Sequence, residues 1–151
     1  MFKMKKISKF IKNFLNSQKL GYVATVSDQG LPNLSPKGTI IAWDENTLVF
    51  ADIRSPNTIK NLEKNPSLEI NVVDPFLRKG FRFKGQGTII RNGETYEDIL
   101  SYYRESGVKS SINAIVLVEV NEIFEVTSPL YDLGISEAEM KEKWKKHFLD
   151  L

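Results

Sequence analysis

The sequence contains no cysteine and only one histidine, His147. The absence of cysteine excludes disulfides, thiolate metal sites and a cysteine nucleophile, and it is typical of a reducing compartment. One histidine is too few for a His-rich metal cluster and excludes most histidine-dependent triads. We therefore expect no metal site.

Long apolar runs and a strong charge of either sign are also missing. No apolar stretch approaches the ~20 residues that a transmembrane helix needs, and the N-terminus lacks the apolar core of a signal peptide. The formal net charge of +2 does not by itself argue for a nucleic-acid partner. We expect a cytoplasmic protein with neither a membrane nor a nucleic-acid partner.

Motifs of several enzyme classes are absent from the chain. It has no Walker loop, GxSxG elbow, HExxH motif or GxGxxG fingerprint, and no evident pair of catalytic carboxylates. Gly85-Gln86-Gly87 lies inside a strand pattern, which indicates a bend or a close approach of two backbones. Residues 79–83 (KGFRF) resemble in part an RNA-stacking motif, but Arg82 replaces the small residue of that motif. Alternating phenylalanines are more typical of a core.

The residues that are present suit one globular domain. The 151 residues are 41% hydrophobic and 26% charged, and a chain of this length can bury a substantial core. Alternating apolar residues predict about six strands, beginning near residues 20, 31, 47, 67, 80 and 112. Pro32 and Pro36 disfavour regular pairing in the first half of the second strand, 31–43. Because hairpin connections dominate, this pattern favours an antiparallel barrel.

Helical periodicity predicts four peripheral helices. They cover residues 1–17, the stretch from Pro56 to the stop at Asn65-Pro66, residues 94–106, and a last helix opened by a capping box at 136–139. The first helix carries apolar residues on one face and lysines on the other. Such a helix can lie on an anionic membrane, but a helix docked on its own sheet shows the same pattern, and we favour docking.

The stretch 47–66 is the strongest candidate for a ligand site that the residues alone supply. A strand leads into a helix whose first N–H groups have no intrahelical partner, and Ser55, Asn57 and Thr58 add side-chain donors there. Such a turn suits a phosphate. The alternative is that Ser55 merely caps its own helix.

Three segments in succession resemble the pyridoxamine 5'-phosphate oxidase-like family of FMN-binding proteins. They are LGYVATVSDQGLPNLSPKGTI, DENTLVFADIRSPNTIKNLEKNPSLEINVVDP and RKGFRFKGQGTI. The resemblance runs from about residue 20 to residue 126. It implies a mainly β (α+β) fold, a six-stranded antiparallel split β-barrel of Greek-key type with peripheral helices. It also implies a homodimer with FMN in clefts at the subunit interface.

The resemblance places flavin contacts at four points of the chain. The flavin-contacting strand falls on residues 36–41. The pair Ala51 and Asp52 falls beside the ring or ribityl chain, and the pair Asn57 and Thr58 falls beside the phosphate. Lys79 and Gly80 reach the partner subunit's flavin. With Ser55, the candidate cofactor-binding residues are Pro36, Lys37, Gly38, Thr39, Ala51, Asp52, Ser55, Asn57, Thr58, Lys79 and Gly80.

The chain also departs from the family pattern. Family enzymes carry Arg or Lys where this chain has Pro36, Ile41, Asn57 and Thr58, so four phosphate cations are missing. Helix N–H groups, the hydroxyls of the turn and three nearby cations can replace them, namely Lys37, Arg54 and Arg78. Asp52 is the only candidate for a general base, and it can equally be a strand-end residue that bonds the next turn.

The sequence leaves three functions open. The first, which we favour, is an FMN-dependent oxidoreductase that acts on a small molecule or electron donor, with the redox chemistry supplied by the flavin. The second is a protein that binds flavin, deazaflavin or haem without turnover. The third is a dimeric nucleic-acid-binding module.

Overall fold

The computed structural model describes residues 3–151. The sequence predicts a first helix over 1–17, and the part of that prediction on residues 1 and 2 lies outside the described residues. The rest was wrong at its N-terminal end, because the helix α1 (Lys9–Gln18) begins only after the N-cap Ser8. The hydroxyl of Ser8 accepts a hydrogen bond from the Ile11 N–H at 3.2 Å, which satisfies one free donor of the first turn.

Eight strands and four helices follow one another along the described chain. The strands are β1 (Lys3–Met4), β2 (Gly21–Val26), β3 (Pro32–Lys37), β4 (Ile41–Ala42), β5 (Thr47–Asp52), β6 (Ser67–Asp74), β7 (Lys79–Ile90) and β8 (Ala114–Thr127). The helices after α1 are α2 (Pro56–Lys64), α3 (Glu94–Glu105) and α4 (Glu137–Leu149), and a short 3-10 helix spans Pro129–Leu133.

All strands belong to one antiparallel sheet with the order β3-β2-β6-β7-β8-β5-β4, and β1 pairs with β8. The mainly β, antiparallel split barrel with peripheral helices is thus confirmed, although the predicted count of six strands was too low. One added strand is β1. The other arises because the predicted strand 31–43 is divided into β3 and β4, which pair with different partners.

That division explains how the sheet curls. β3 stands at one end of the strand order and β4 at the other, yet only Gly38, Thr39 and Ile40 separate them in the chain. Three residues span at most about 11 Å when extended, so the two ends of the sheet must lie close together. The barrel is therefore split beside residues 38–40.

β3 is paired along its whole length, contrary to the expectation for its two prolines. Pro32 lies opposite Val26 and Pro36 opposite Tyr22. An edge strand tolerates proline, because a missing N–H on its open side breaks no hydrogen bond of the sheet.

The core fills the inside of the curled sheet. Phe50, Ile70 and Phe83 are fully buried, and Phe81 is nearly so, which confirms the interpretation of residues 79–83 as a core strand. α1 buries Ile11 and Leu15 against this core, as the docked alternative predicts. No helix among residues 3–151 is both long and apolar enough to cross a bilayer.

A break in register beside Gly85 confirms that two backbones approach closely there. The pairing of β7 with β8 shifts between Lys84 and Gly85. A Cβ on Gly85 would lie 3.1 Å from the backbone carbonyl carbon of Glu119. Glycine is needed because no side chain fits that space.

Candidate functional site

The split of the barrel contains a cavity of about 270 Å³. One wall is the end of β3 and the link that follows it, and the other wall is the end of β5 and the turn toward α2. The lining residues are Ser35, Pro36, Lys37, Gly38, Thr39, Ala51, Ile53 and Arg54. Five of the candidate cofactor-binding residues therefore lie together at one cavity.

Thr39 joins the two walls. Its hydroxyl accepts a hydrogen bond from the Ala51 N–H at 3.0 Å, so a side chain stands where a neighbouring strand would otherwise pair. Its carbonyl accepts a hydrogen bond from the Tyr103 hydroxyl of α3 at 2.7 Å. Burial raises the pKa of Tyr103, so this phenol remains a donor throughout the neutral range. The cavity wall is thus held by two bonds from distant parts of the chain.

Ser55 is the N-cap residue of α2, but its side chain makes no capping hydrogen bond. Its backbone N–H and its hydroxyl both donate to Oδ1 of Asp52, at 3.1 and 2.9 Å. The interpretation of Ser55 as a simple cap was therefore wrong for its side chain. The free N–H groups of the first turn of α2 receive nothing from Ser55.

Lys37 completes this buried cluster. Its Nζ donates to the Ser55 hydroxyl, and it lies 5.7 Å from the ring centroid of Phe50. Lys37 is only 7% exposed. Burial lowers its pKa, and the charge of Asp52 opposes that shift. The ammonium group of Lys37 therefore lies inside the protein, bonded to Ser55.

Asp52 bonds the turn that follows its strand, as the second of the two alternatives predicts. It is 7% exposed, and its carboxylate receives both hydrogen bonds from Ser55. The backbone carbonyl of Asp52 accepts from the Asn113 N–H at 2.9 Å. These contacts anchor the end of β5.

Asn57 and Thr58 point into different surroundings. Thr58 is fully buried, and its hydroxyl accepts from the Asn33 amide at 3.4 Å. Asn57 is exposed and lines a polar cavity of about 300 Å³ between α2 and the β2–β3 hairpin. Neither residue lines the cavity at the split.

Lys79 and Gly80 lie away from that cavity as well. Lys79 forms an ion pair with Glu137 of α4 at 2.8 Å and lies 4.2 Å from the Tyr131 ring centroid. The hydrogen bond to Glu137 raises its pKa. Gly80 faces the backbone of β6, where a Cβ would lie 2.7 Å from Val73 Cα and still closer to the Val72 carbonyl. Within one chain, both residues have structural contacts.

The site prediction did not include Ser35, Ile53 or Arg54, although all three line the cavity. Arg54 was expected only as one of several replacement cations. In the described part of the chain the Arg54 guanidinium has no hydrogen bond or ion pair. Lys37 is bonded to Ser55, and Arg78, whose guanidinium also lacks a hydrogen bond or ion pair, stacks on Trp144 and lines a different cavity. The feature of the sequence that could have identified Arg54 is its position directly before Ser55, the N-cap of α2.

These features fit a ring cofactor with an anionic tail. A free cation and the uncapped first turn of α2 both attract a phosphate. The cavity of about 270 Å³ lies slightly below the range of about 300–1,000 Å³ usual for complete small-molecule sites.

Solved structures resemble this chain closely in fold. HupZ of Group A Streptococcus is 32% identical, with 81% of this chain and 95% of HupZ covered and a TM-score of 0.74. An FMN-binding protein of Syntrophomonas wolfei is 14% identical, with coverage of 78% and 84% and a TM-score of 0.69. HutZ, described as a heme storage protein of Vibrio cholerae, is 20% identical, with coverage of 79% and 94% and a TM-score of 0.59.

The sequence itself carries a family signature. No curated protein sequence matches the chain. The sequence pattern described as pyridoxamine 5'-phosphate oxidase matches residues 7–126, which is most of the chain. Together with the similarity to HupZ, this match means that the chain belongs to the pyridoxamine 5'-phosphate oxidase-like family.

Proposed function

We propose that this protein binds FMN at the split of the barrel and is an FMN-dependent oxidoreductase acting on a small molecule. The observation that carries the proposal is the free guanidinium of Arg54, which lines the cavity next to the uncapped start of α2. Family membership and the FMN-binding neighbour support the choice of cofactor.

Arg54 and the first-turn N–H groups of α2 would hold the phosphate. The guanidinium can bind two phosphate oxygens at once, and the helix N-terminus adds a partial positive charge. Arg54 thereby takes over from the cations that the family carries at the positions of Asn57 and Thr58. Lys37 acts indirectly, because its bond to Ser55 holds β3 against the start of α2.

The residues that line the cavity would position the ring and exclude water. Pro36, Ala51 and Ile53 supply apolar surface, and the bond between Thr39 and Ala51 keeps the two walls at a fixed separation. When bound, FMN supplies the redox chemistry. We assign no general base, because Asp52, the one candidate, is bonded to Ser55 and does not line the cavity.

We further propose that the protein is a homodimer whose second copy completes the site. Apolar residues cover the outer surface of β3, which lines the cavity, and of its neighbour β2. They are Tyr22, Ala24 and Val26 on β2 and Pro32, Leu34 and Pro36 on β3. Leu34 is 66% exposed and Tyr22 is 43% exposed. Contiguous apolar surface of this kind is typical of an interface between subunits, and Pro36 connects it to the cavity.

One observation favours FMN over haem at this cavity. Haem iron is held by histidine, cysteine, methionine or tyrosine side chains, and none of these lines the cavity within the described residues. His147, the single histidine of the chain, lies on α4 beside Trp144. The similarity to HutZ, at 20% identity, supports a common fold.

The test uses the purified protein and compares FMN with riboflavin, which lacks the phosphate. We expect a bound yellow chromophore that mass spectrometry identifies as FMN. Arg54→Gln is expected to weaken FMN by about 1.5–3 kcal/mol and to leave riboflavin affinity unchanged. Lys60→Gln is the matched control, because Lys60 is also an exposed cation near the start of α2 but does not line the cavity.

Further outcomes separate the alternatives. Bleaching of the bound flavin by NADH or NADPH, with reoxidation in air, supports an oxidoreductase, whereas a flavin that no donor reduces supports binding without turnover. A Soret band in the absorption spectrum would indicate bound haem, and a copurified deazaflavin would identify that ligand. Either result would contradict FMN as the cofactor. A colourless protein that takes up no FMN contradicts the whole proposal. A monomer by light scattering at micromolar concentration contradicts the dimer alone.

A further inference from the structure

A different cavity lies beside the start of β2, where the β6–β7 hairpin meets the end of α1. Its volume is about 310 Å³. Leu20, Val73 and Pro75 supply apolar lining, and Gln18, Tyr22, Asn71 and Arg78 supply polar groups. It shares no lining residue with the cavity at the split. Its lining residue Tyr22 pairs with Pro36, which lines the cavity at the split.

Arg78 occupies an unusual backbone conformation in this cavity. Its φ is 54°, in the left-handed region where a hairpin normally carries glycine or asparagine. Neighbouring groups hold it there. The Arg78 N–H donates to the Asp74 carbonyl at 2.8 Å, and its carbonyl accepts from the Ser128 N–H at 2.9 Å. The Tyr131 hydroxyl fixes the preceding carbonyl, that of Leu77, at 2.6 Å.

The side chain of Arg78 is held on one face and unpaired elsewhere. Its guanidinium carbon lies 3.6 Å from the ring centroid of Trp144, a stacking distance. Within residues 3–151 the guanidinium forms no hydrogen bond or ion pair, and its Nε is buried without an acceptor. Stacking occupies the face of the guanidinium but none of its N–H donors, which lie in its plane.

We infer that this cavity binds a small monocarboxylate with an apolar or aromatic body. A planar guanidinium held by stacking is prearranged for the two oxygens of a carboxylate. Arg78 is the only cation among the lining residues of the described chain, and no carboxylate lines the cavity. One positive charge matches a singly charged ligand better than a phosphate dianion. Leu20, Val73 and Pro75 would cover the apolar body, and Tyr22, which also belongs to the proposed subunit interface, would border it.

The inference does not rest on the proposed flavin site. Binding can be measured on the protein without FMN, so failure at one cavity leaves the other proposal intact. The probe is benzoate, and benzamide serves as its uncharged analogue of the same shape. Trp144 is the reporter, because it stacks on Arg78, and Trp43→Phe removes the second tryptophan of the chain.

We expect benzoate to change Trp144 fluorescence in a saturable way and benzamide to bind at least tenfold more weakly. Arg78→Lys keeps the charge but loses the planar fork, so it should weaken benzoate about tenfold or more. Arg78→Gly suits the positive φ and should abolish binding while the protein remains folded by circular dichroism. Lys143→Gln is the matched control, because Lys143 also lies over Trp144, at 5.5 Å, but is outside the cavity lining.

Several results would overturn the inference. One is wild-type protein that does not respond to millimolar benzoate. Others are equal affinity for benzamide and benzoate, or displacement of benzoate by equimolar inorganic phosphate. Unchanged benzoate affinity in both Arg78 variants would show that Arg78 only holds α4 against the β6–β7 hairpin, through its contact with Trp144.

Discussion

Lys37 donates a hydrogen bond to the hydroxyl of Ser55, 18 residues further along the chain. Ser55 in turn donates to the carboxylate of Asp52. Three residues that the sequence predicts as separate cofactor contacts are therefore bonded to one another. The cluster ties the end of β3 to the end of β5 and to the start of α2, so it supports the walls of the cavity at the split.

Ser55→Ala should lower the free energy of unfolding by about 1–3 kcal/mol, because it leaves a buried ammonium and a buried carboxylate without their bridging hydroxyl. Urea denaturation measures this loss. In a Lys37→Met background, Ser55→Ala should lower the free energy of unfolding by a smaller amount, since one of the two charges that the hydroxyl bonds is gone. Equal losses in both backgrounds would contradict the bridge.

Lys37 should make the stability depend on pH in the alkaline range. Burial lowers its pKa in the folded protein, whereas the unfolded chain titrates near the ordinary value of 10.5. Between these two values the unfolded chain binds more protons, so the free energy of unfolding rises with pH there. The difference between wild type and Lys37→Met, measured by urea denaturation, should show this rise. Taking the difference cancels the opposite contribution of Tyr103, whose pKa is raised. A flat difference would argue that Lys37 is not desolvated.

Tyr103→Phe should cost about 1–2 kcal/mol of folding free energy, because it leaves the Thr39 carbonyl without its partner. We also expect weaker FMN binding, since Thr39 lines the cavity. Thermal melting and FMN titration measure the two effects. Tyr102→Phe is the control, because the Tyr102 hydroxyl has no hydrogen bond in the described chain and its side chain is 37% exposed.

Gly80→Ala should mainly lower the stability of the fold, whereas Gly38→Ala should mainly lower the affinity for FMN. An added Cβ at Gly80 meets the backbone of Val72 and Val73, so we expect a loss of about 3 kcal/mol or more or a failure to fold. At Gly38 the nearest group is the Lys19 carbonyl at 3.3 Å, and the loss should stay near 1 kcal/mol or below. Gly38→Ala should instead reduce FMN affinity, because Gly38 lines the cavity. Similar stability losses in both variants would contradict this assignment.

The sequence pattern was sufficient for most individual elements. α3 follows its apolar spacing and ends at Glu105, two residues before Gly107, which has a φ of +94°. α4 opens with the capping box of Ser136 and Glu139, both of whose hydrogen bonds are present. Such features depend on residues within one or two turns of each other, so their physical cause is visible in the sequence.

Long-range pairing was decided only by the tertiary structure. The apolar pattern of residues 31–43 is continuous, but β3 and β4 pair with strands at opposite ends of the sheet. Lysine is usually exposed, yet Lys37 is buried because Asp52 and Ser55 arrive from a later part of the chain. The same arrangement takes the Ser55 side chain away from its own helix.

The sequence by itself determined the family, the strands and helices, and the stretches on which a cofactor site is expected. Only the tertiary structure decided which of those residues share a cavity and which cation remains free for a ligand. The physical reason is that a side chain's partners depend on contacts between segments distant in sequence, which local pattern does not encode.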